Sequence, residues 1–375
     1  MAGIYIHIPF CKQACHYCNF HFATSLHHKD RLLLAIQKEL EMQSDYFEDN
    51  SIIKTVYFGG GTPSLLTADE INRIIDTIYR NFRTELLEVT FEANPDDLTK
   101  EYLISLQDTA INRLSIGVQS FFDVDLKWMN RAHNHIQAFQ CIENALHFGF
   151  KDLSVDLIYG SPTTTNEMWY QNLRKLIESG VEHISAYCLT VEEKTPLNKL
   201  IKSGKSKPVD STLGATQFEI MIEELSFAGF EQYEISNFAK NKKYALHNTS
   251  YWQGAQYLGV GPSAHSFNGR QRSWNISNNQ IYIQSIEEDE LPRQSETLSV
   301  ADIFNELVMT GLRTMWGVNS EKLKEVSKLY FDEFDRNKSS LIENGMMRFT
   351  DNNYILTSKG KLFADKIASD LFILE

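Results

Sequence analysis

Short β-branched runs alternate with longer amphipathic stretches along most of the chain. The runs at 3–8, 52–58, 87–93, 113–118, 153–159 and 183–189 have the length and composition of strands. Between them, apolar residues recur at helical spacing over 30–46, 68–82, 100–108, 136–148 and 166–179. Thr67 with Glu70, and Thr164 with Glu167, read as capping boxes that start two of these helices. Gly149 and Gly180 fall where two helices should stop, since glycine takes the left-handed closing position without strain. Strand–helix alternation of this kind predicts a parallel sheet with right-handed crossovers. The strands read as apolar on both faces, like strands buried between helix layers. Polar residues gather at or beyond their C-terminal ends: the first cysteines, Gly59, Gly60 and Gly61, Glu92, Asn94 and Gln119. That edge is where α/β folds carry their chemistry.

A further helix over 212–227 precedes the segment YEISNFA and a glycine-rich stretch, LGVGPSAHSFNG. From about residue 299 the pattern changes to helices over 300–312, 320–329 and 331–343. A hairpin with an Asn-Asn turn, in MMRFTDNNYILTSKG, and a last helix follow. Short helices followed by a small hairpin resemble a winged-helix module.

Composition narrows the partners. The 36 Lys and Arg against 49 Asp and Glu give a net charge of −13. Neither the chain as a whole nor the winged-helix-like segment shows the basic surplus of a nucleic-acid binder, and docking on anionic lipid is not indicated. A small molecule or a protein remains as partner. An apolar fraction of 42% supports a packed core, and 375 residues suit two or three domains at roughly 150 residues each. MAGIYIHIPFC lacks the basic and long apolar regions of a signal peptide, and no run is long enough to span a membrane. The expected location is cytoplasmic, where clustered cysteines signal metal or redox chemistry more often than disulfides.

Three of the five cysteines form such a cluster, in Cys11-Lys12-Gln13-Ala14-Cys15-His16-Tyr17-Cys18. Three thiolates on one tight loop can ligate three corners of a cubane iron–sulfur cluster and leave the fourth iron open for a ligand. A zinc site is the alternative, with His16 or His21 as fourth ligand. The run Gly59-Gly60-Gly61-Thr62-Pro63-Ser64 lets the backbone approach a ligand closely, or simply makes a tight turn. Glu92 and Asp156 are carboxylates that could hold loops together or face a ligand. His247-Asn248-Thr249-Ser250-Tyr251-Trp252 joins an imidazole, a possible iron ligand, to aromatic rings that can stack on a macrocycle; a satisfied interior histidine fits as well. His265 is a second candidate, and His7 on the first strand suits a supporting role. Cys141 and Cys188 read as small buried hydrophobes.

C-x3-C-x2-C after the first strand of a β/α pattern resembles the radical S-adenosylmethionine superfamily. The resemblance implies a 4Fe-4S cluster on Cys11, Cys15 and Cys18. In that superfamily S-adenosylmethionine chelates the open iron, and one electron from the cluster cleaves it to methionine and a 5′-deoxyadenosyl radical. It implies an α/β fold: a partial (β/α)6 barrel over 1–295, followed by a small C-terminal helical, winged-helix-like domain over 296–375. It implies that Gly60, Gly61 and Thr62 present backbone to the cofactor's amino group, and that Glu92, Gln119, Arg131 and Asp156 surround it. Tyr5 and Tyr17 resemble the aromatic positions packed on cofactor and cluster, although Tyr5 also suits a core strand.

YIHIPFC, GGGTPS, NRLSIGVQSF, DLIYGSP, YEISNFA and YLGVGPSAHS resemble two sister groups. One is the oxygen-independent coproporphyrinogen III dehydrogenases, which form protoporphyrinogen IX by radical hydrogen abstraction and decarboxylation. The other is the HemW heme chaperones, which bind heme and deliver it to hemoproteins. The dehydrogenases extend the cysteine motif to a fourth cysteine, where this chain has Phe20, and carry an N-terminal extension that it lacks. His247, Tyr251 and Trp252 match the HNxxYW motif of the HemW group, proposed there to bind heme. The expected partners are therefore heme and recipient hemoproteins.

Overall fold

The computed structural model describes residues 2–48 and 50–374. Six parallel strands form in the expected order: β1 (Ala2–Ile8), β2 (Ile53–Gly60), β3 (Thr84–Ala93), β4 (Arg113–Gln119), β5 (Asp152–Tyr159) and β6 (His183–Cys188). Helices α1 (Lys29–Met42), α2 (Ala68–Asn81), α3 (Lys100–Leu106), α4 (Asp123–Trp128), α5 (His135–His147) and α6 (Asn166–Ser179) lie in the crossovers. The chain is a partial β/α barrel with a small helical module at its C-terminal end, the architecture that the resemblance implies.

The two strand faces differ, contrary to the sequence expectation. Ile4, Ile6, Val56, Phe58, Phe91, Leu114, Ile116, Val155 and Leu157 pack outward with helix residues such as Ile36, Ile74, Ile142 and Leu173 in one apolar core. Each such side chain contributes about 1.5–3 kcal/mol by burial, so this face holds the barrel together. The alternate residues face the lumen and are polar or aromatic. Strand register groups them in layers: Gly3, Thr55 and Glu88 lowest; Tyr5, Tyr57, Thr90 and Arg113 next; Glu92, Ser115, Ser154 and His183 above. All of these side chains are small, aromatic or hydrogen-bonding, so a period-2 pattern is present in strands that read as uniformly apolar.

After α7 (Pro196–Lys202) and α8 (Ser211–Phe227), YEISNFA folds as antiparallel β7 (Glu231–Glu234) and β8 (Asn237–Ala239) beside β6. Helix α9 (Leu246–Trp252) then leads to β9 (Gln256–Val260), which pairs in parallel with β1 on its other side. This seventh parallel strand was not expected. It carries β10 (His265–Phe267) and β11 (Gln271–Asn275) and, after α10 (Asn279–Glu287), β12 (Arg293–Thr297). The glycine-rich stretch is thus a strand turn, held by one buried carboxylate. Glu39 on α1 accepts from Gly261 N (2.8 Å), Asn275 Nδ2 (2.7 Å) and the Tyr282 hydroxyl (2.5 Å). Those bonds offset the cost of burying a charge.

A second apolar core gathers Phe304, Val308, Leu323, Phe334, Met347, Tyr354 and Ile367. It comprises α11 (Val300–Leu312), β13 (Val318–Asn319), α12 (Ser320–Val326), α13 (Lys328–Asn337), α14 (Ser339–Glu343), β14 (Met347–Thr350), β15 (Asn353–Leu356), α15 (Ser358–Lys361) and α16 (Ala364–Asp370). It joins the barrel through backbone bonds from Ile235 N to Arg313 O and Met315 N to Tyr233 O. The Arg313 guanidinium lies over the Trp252 ring at 5.4 Å.

Local expectations needed correction in several places. Thr67 and Glu70 form the reciprocal cap, but α6 is capped by Thr165, which accepts from Met168 N. Thr164 lies one residue too early, so Glu167 falls in the second helical position instead of the third. The C-terminal hairpin turns on Asp351 and Asn352, both with positive φ, one residue before the expected Asn-Asn pair. Helix α12 ends at Val326, and the next segment breaks into α13 and α14 at Lys338. Cys188 is exposed because β6 ends there; Cys141 is buried, as expected.

Candidate functional site

The cysteine loop follows β1 at the C-terminal rim of the barrel, and the other motif loops clasp it. His16 N donates to Met129 O (3.0 Å), and Asn130 Nδ2 donates to Ala14 O (2.7 Å). Asn130 has φ of 58°, a conformation asparagine tolerates better than most residues. Lys12 pairs with Asp96 (3.0 Å) and Asp97, both from FEANPDDL. Asp97 also accepts from the Ser64 hydroxyl (2.6 Å), which ties in the glycine-rich loop. Cys11, Cys15 and Cys18 are each partly exposed on this framework.

Arg131 reaches the same place. Its Nη2 donates to Asn94 Oδ1 (2.7 Å) and Gly117 O (2.6 Å), and its Nη1 lies 3.4 Å from Cys15 Sγ. Its Nε is buried without a partner, as is Asp96 Oδ1. Burial, opposed by the Phe20 backbone and reinforced by Cys15 and Cys11, pushes the Cys18 thiol up to about 11. Three thiols in one another's field ionise readily only beside a strong cation, which iron supplies. The donor set and the orphaned Arg131 nitrogen therefore fit a thiolate-bound cluster with a polar ligand beside it. Among the described residues no group of three His, Cys, Asp or Glu is gathered tightly enough for one metal ion. A cubane needs no such gathering, because each thiolate takes a different iron. The same finding tells against the zinc alternative, since neither His16 nor His21 is gathered with the cysteines as one zinc ion needs; His16 Nδ1 bonds Trp128 O (2.8 Å) and His21 Nε2 bonds Asn279 Oδ1 (2.7 Å).

Below the loop, Glu92 projects into the lumen. It accepts from the Tyr57 hydroxyl (2.7 Å) and from Gly60 N (3.2 Å). Burial outweighs those bonds and, with Asp156 adding to it, pushes the carboxyl up to about 7. Asp156 accepts weakly from Ser115 (3.3 and 3.4 Å), and burial pushes it up to about 6. Two strained carboxyls in one field suit a cationic ligand. Gly60 has φ of 106°, and a Cβ there would meet the His7 ring at 2.6 Å, so the turn requires glycine. Gly61 N donates to Ile8 O (2.9 Å), and the Thr62 hydroxyl accepts from Asn94 Nδ2 (3.1 Å). Gln119 sits at a register shift in β4 with φ of 68°, a strain of about 1–3 kcal/mol of the sort kept at ligand sites. Tyr5 lies in the lumen, stacked on Tyr57 at 5.9 Å, and its hydroxyl bonds His7 Nδ1 (3.2 Å). Tyr17 packs with Met129, Ile158, Leu189 and Leu197 beneath the cysteine loop.

The HNxxYW segment is at the opposite end. It forms α9, which enters the lumen at the N-terminal ends of β1, β2 and β3. Glu88 accepts from both Leu246 N (2.7 Å) and His247 N (2.9 Å), capping a helix whose own N-cap, Ala245, has no side-chain acceptor. His247 is wholly buried: Nδ1 bonds the Thr55 hydroxyl (2.8 Å) and Nε2 the Tyr251 hydroxyl (2.7 Å). Burial lowers its pKa to about 3. Iron ligation by His247 would require breaking one of those bonds. Trp252 lies under Arg313 of the C-terminal module. His265, by contrast, is exposed at the start of β10, stacks on Trp274 at 6.1 Å, and has no hydrogen bond to its ring among the described residues. Sequence reasoning placed Asn94, which orients Arg131, at the functional edge without a role, and missed Tyr57, which orients Glu92, and Thr55 and Glu88, which hold α9. The signal was the polar alternation along β2 and β3.

Comparison with known proteins adds independent findings. Residues 5–176 match the model of the Radical SAM superfamily. The chain is 33% identical over 372 residues to heme chaperone HemW of Bacillus subtilis, covering 98% of each chain. It is 31% identical over 375 residues to heme chaperone HemW of Mycobacterium tuberculosis, covering 98% of this chain and 94% of that one. Among solved structures it resembles the Escherichia coli coproporphyrinogen III oxidase HemN, with TM-score 0.85, 23% identity, and coverage of 99% of this chain and 90% of the other. That last likeness concerns the fold.

Proposed function

This chain belongs to the HemW family of the radical S-adenosylmethionine superfamily, and from that membership we propose that it binds heme and hands it to recipient hemoproteins. The observation that carries the reading is full-length similarity to heme chaperones, joined to a cysteine motif that ends at Phe20. Phe20 is 68% exposed beside the cysteine loop, where the dehydrogenases carry a fourth cysteine. Cys11, Cys15 and Cys18 would hold a 4Fe-4S cluster. Tyr5, Tyr17, Gly60, Gly61, Thr62, Glu92, Gln119, Arg131 and Asp156 would enclose S-adenosylmethionine. When bound, the pair supplies one-electron chemistry. Arg131 would meet the cofactor's carboxylate, and Glu92 and Asp156 its positive charge.

For the heme iron, the free and exposed ring of His265 with Trp274 as platform suits ligation better than His247. Tyr251 and Trp252, beside His247, then serve the barrel floor. Electrostatics again favours heme and proteins as partners over nucleic acid. Among the described residues no helix is long and apolar enough to cross a membrane.

The test is a heme titration of the anaerobically reconstituted protein, followed by its Soret band. Saturable binding that His265→Ala weakens about 10-fold supports the reading. Conversion of coproporphyrinogen III to protoporphyrinogen IX, given S-adenosylmethionine and reductant, would instead make the chain a dehydrogenase.

A further inference from the structure

The HNxxYW helix stands in line with the cofactor site although it enters from the other end of the barrel. The His247 ring stacks on Tyr57, with centroids 5.2 Å apart and planes inclined by 30°. Tyr57 also stacks on Tyr5, at 5.9 Å and 26°. The Tyr57 hydroxyl then donates to Glu92 Oε1, while Gly60 N holds Oε2. His247 is itself fixed on every side: Thr55 and Tyr251 hold its two nitrogens, and Glu88 holds the start of its helix. A ring so held can hold the ring stacked on it. An unsupported Tyr57 would lose its aim at Glu92.

We propose that His247 is a positioning residue of the cofactor site, setting the Tyr57 hydroxyl against Glu92, and does not ligate heme. The inference rests on the reading that Glu92 faces S-adenosylmethionine. It gives a motif associated with heme a role in binding the other ligand. The imidazole is suited to the task because it bonds at both ends and presents a flat face between. An aliphatic residue would fill the space without fixing the rotation of helix and ring.

Equilibrium binding of S-adenosylmethionine and a heme Soret titration, both on the reconstituted full chain, test this. His247→Ala is expected to weaken S-adenosylmethionine binding about 10-fold, in the range for residues that orient ligand-holding groups, with the Soret titration unchanged. Tyr57→Phe should cause a similar loss. The double variant should be no worse than Tyr57→Phe alone, since the two act in one chain. His247→Gln, which can bond Thr55 or Tyr251, should recover part of the affinity. Leu246→Ala, on the same helix but partly exposed, should leave it unchanged. Thr55→Val removes only the Nδ1 partner; if His247→Ala fails to fold, it carries the test with an expected loss of about 3-fold. Unchanged S-adenosylmethionine affinity in folded His247 or Thr55 variants, additive losses in the double variant, or loss of the Soret band would overturn the inference. Unchanged affinity in Glu92→Gln would overturn the cofactor-site reading, and the inference with it.

Discussion

The two ends of one barrel lumen turn their polar groups to different uses. At the N-terminal end, His247 and Glu88 spend their hydrogen-bonding capacity on the protein itself. At the C-terminal end, Arg131 leaves Nε buried and unpaired, Asp96 leaves an oxygen unpaired, and Glu92 and Asp156 sit well above the usual carboxylate range. Buried polar groups are nearly always satisfied; orphans also lie deeper in the barrel, at Thr90 Oγ1, Arg113 Nη2 and, on α9, Thr249 Oγ1, but at the upper end the orphans and the raised carboxyls gather around the cysteine loop. Residue type does not separate the ends, since each has carboxylates and aromatic rings, and neither does satisfaction alone. Nearness to the cysteine loop does, with Arg131 beside Cys15.

The comparison can be broken at either end. The largest effect is expected at the top: Cys15→Ser should abolish the iron, the sulfide and the broad visible absorbance of the reconstituted protein. Retention of all three would remove the cysteine loop from the account. At the floor, Glu88→Ala leaves two helix N–H groups without their acceptor, one buried and one part-buried, and should cost about 2–6 kcal/mol of stability, at about 1–3 kcal/mol for each group left unpaired. Urea denaturation measures this, and a loss under 0.5 kcal/mol, well below that range, would mean that α9 is not anchored there.

Glu92 gives a pH signature. Its carboxyl is raised to about 7 in the folded chain. Its contribution to the stability of the cofactor-free protein is therefore fully present below the ordinary carboxylate pKa, and is lost as pH rises toward 7. A cationic ligand prefers the ionised form, so affinity for S-adenosylmethionine should rise between about pH 6 and 8. Glu92→Gln should flatten that rise, and an unaltered profile would assign the titration to another group. The smallest effect is expected at Gln119, where φ is 68°. Gln119→Gly should relieve that strain for a net gain of up to about 1 kcal/mol, after the unfolded-state entropy that glycine adds, while weakening S-adenosylmethionine binding. A protein both unstabilised and fully able to bind would make the strain incidental.

Much of the upper end was legible in the sequence because its motifs are local. Cys11, Cys15 and Cys18, and the glycines from Gly59 to Gly61, each lie on one short loop, as does Arg131, and strand–helix alternation brings such loops to one rim. Packing of the lower end was not legible. His247 meets Thr55, 192 residues away, through a helix that enters the lumen from a region without a clear pattern. The lumen itself was hidden because Tyr5, Tyr57 and Gly59 interrupt the outward apolar residues without looking polar. Strand β9 was hidden because LGVGPSAHSFNG reads as loop until Glu39 is seen to hold its turn.

The central claim is that the chain carries heme rather than transforms a porphyrin precursor. Its most direct test mixes the heme-loaded, reconstituted protein with an apo-hemoprotein and follows the Soret spectrum. The account predicts that the donor's band decays as the recipient's holo spectrum appears, and that this outpaces spontaneous heme release. A heme-loaded chain that releases nothing to the recipient beyond the spontaneous rate would contradict it.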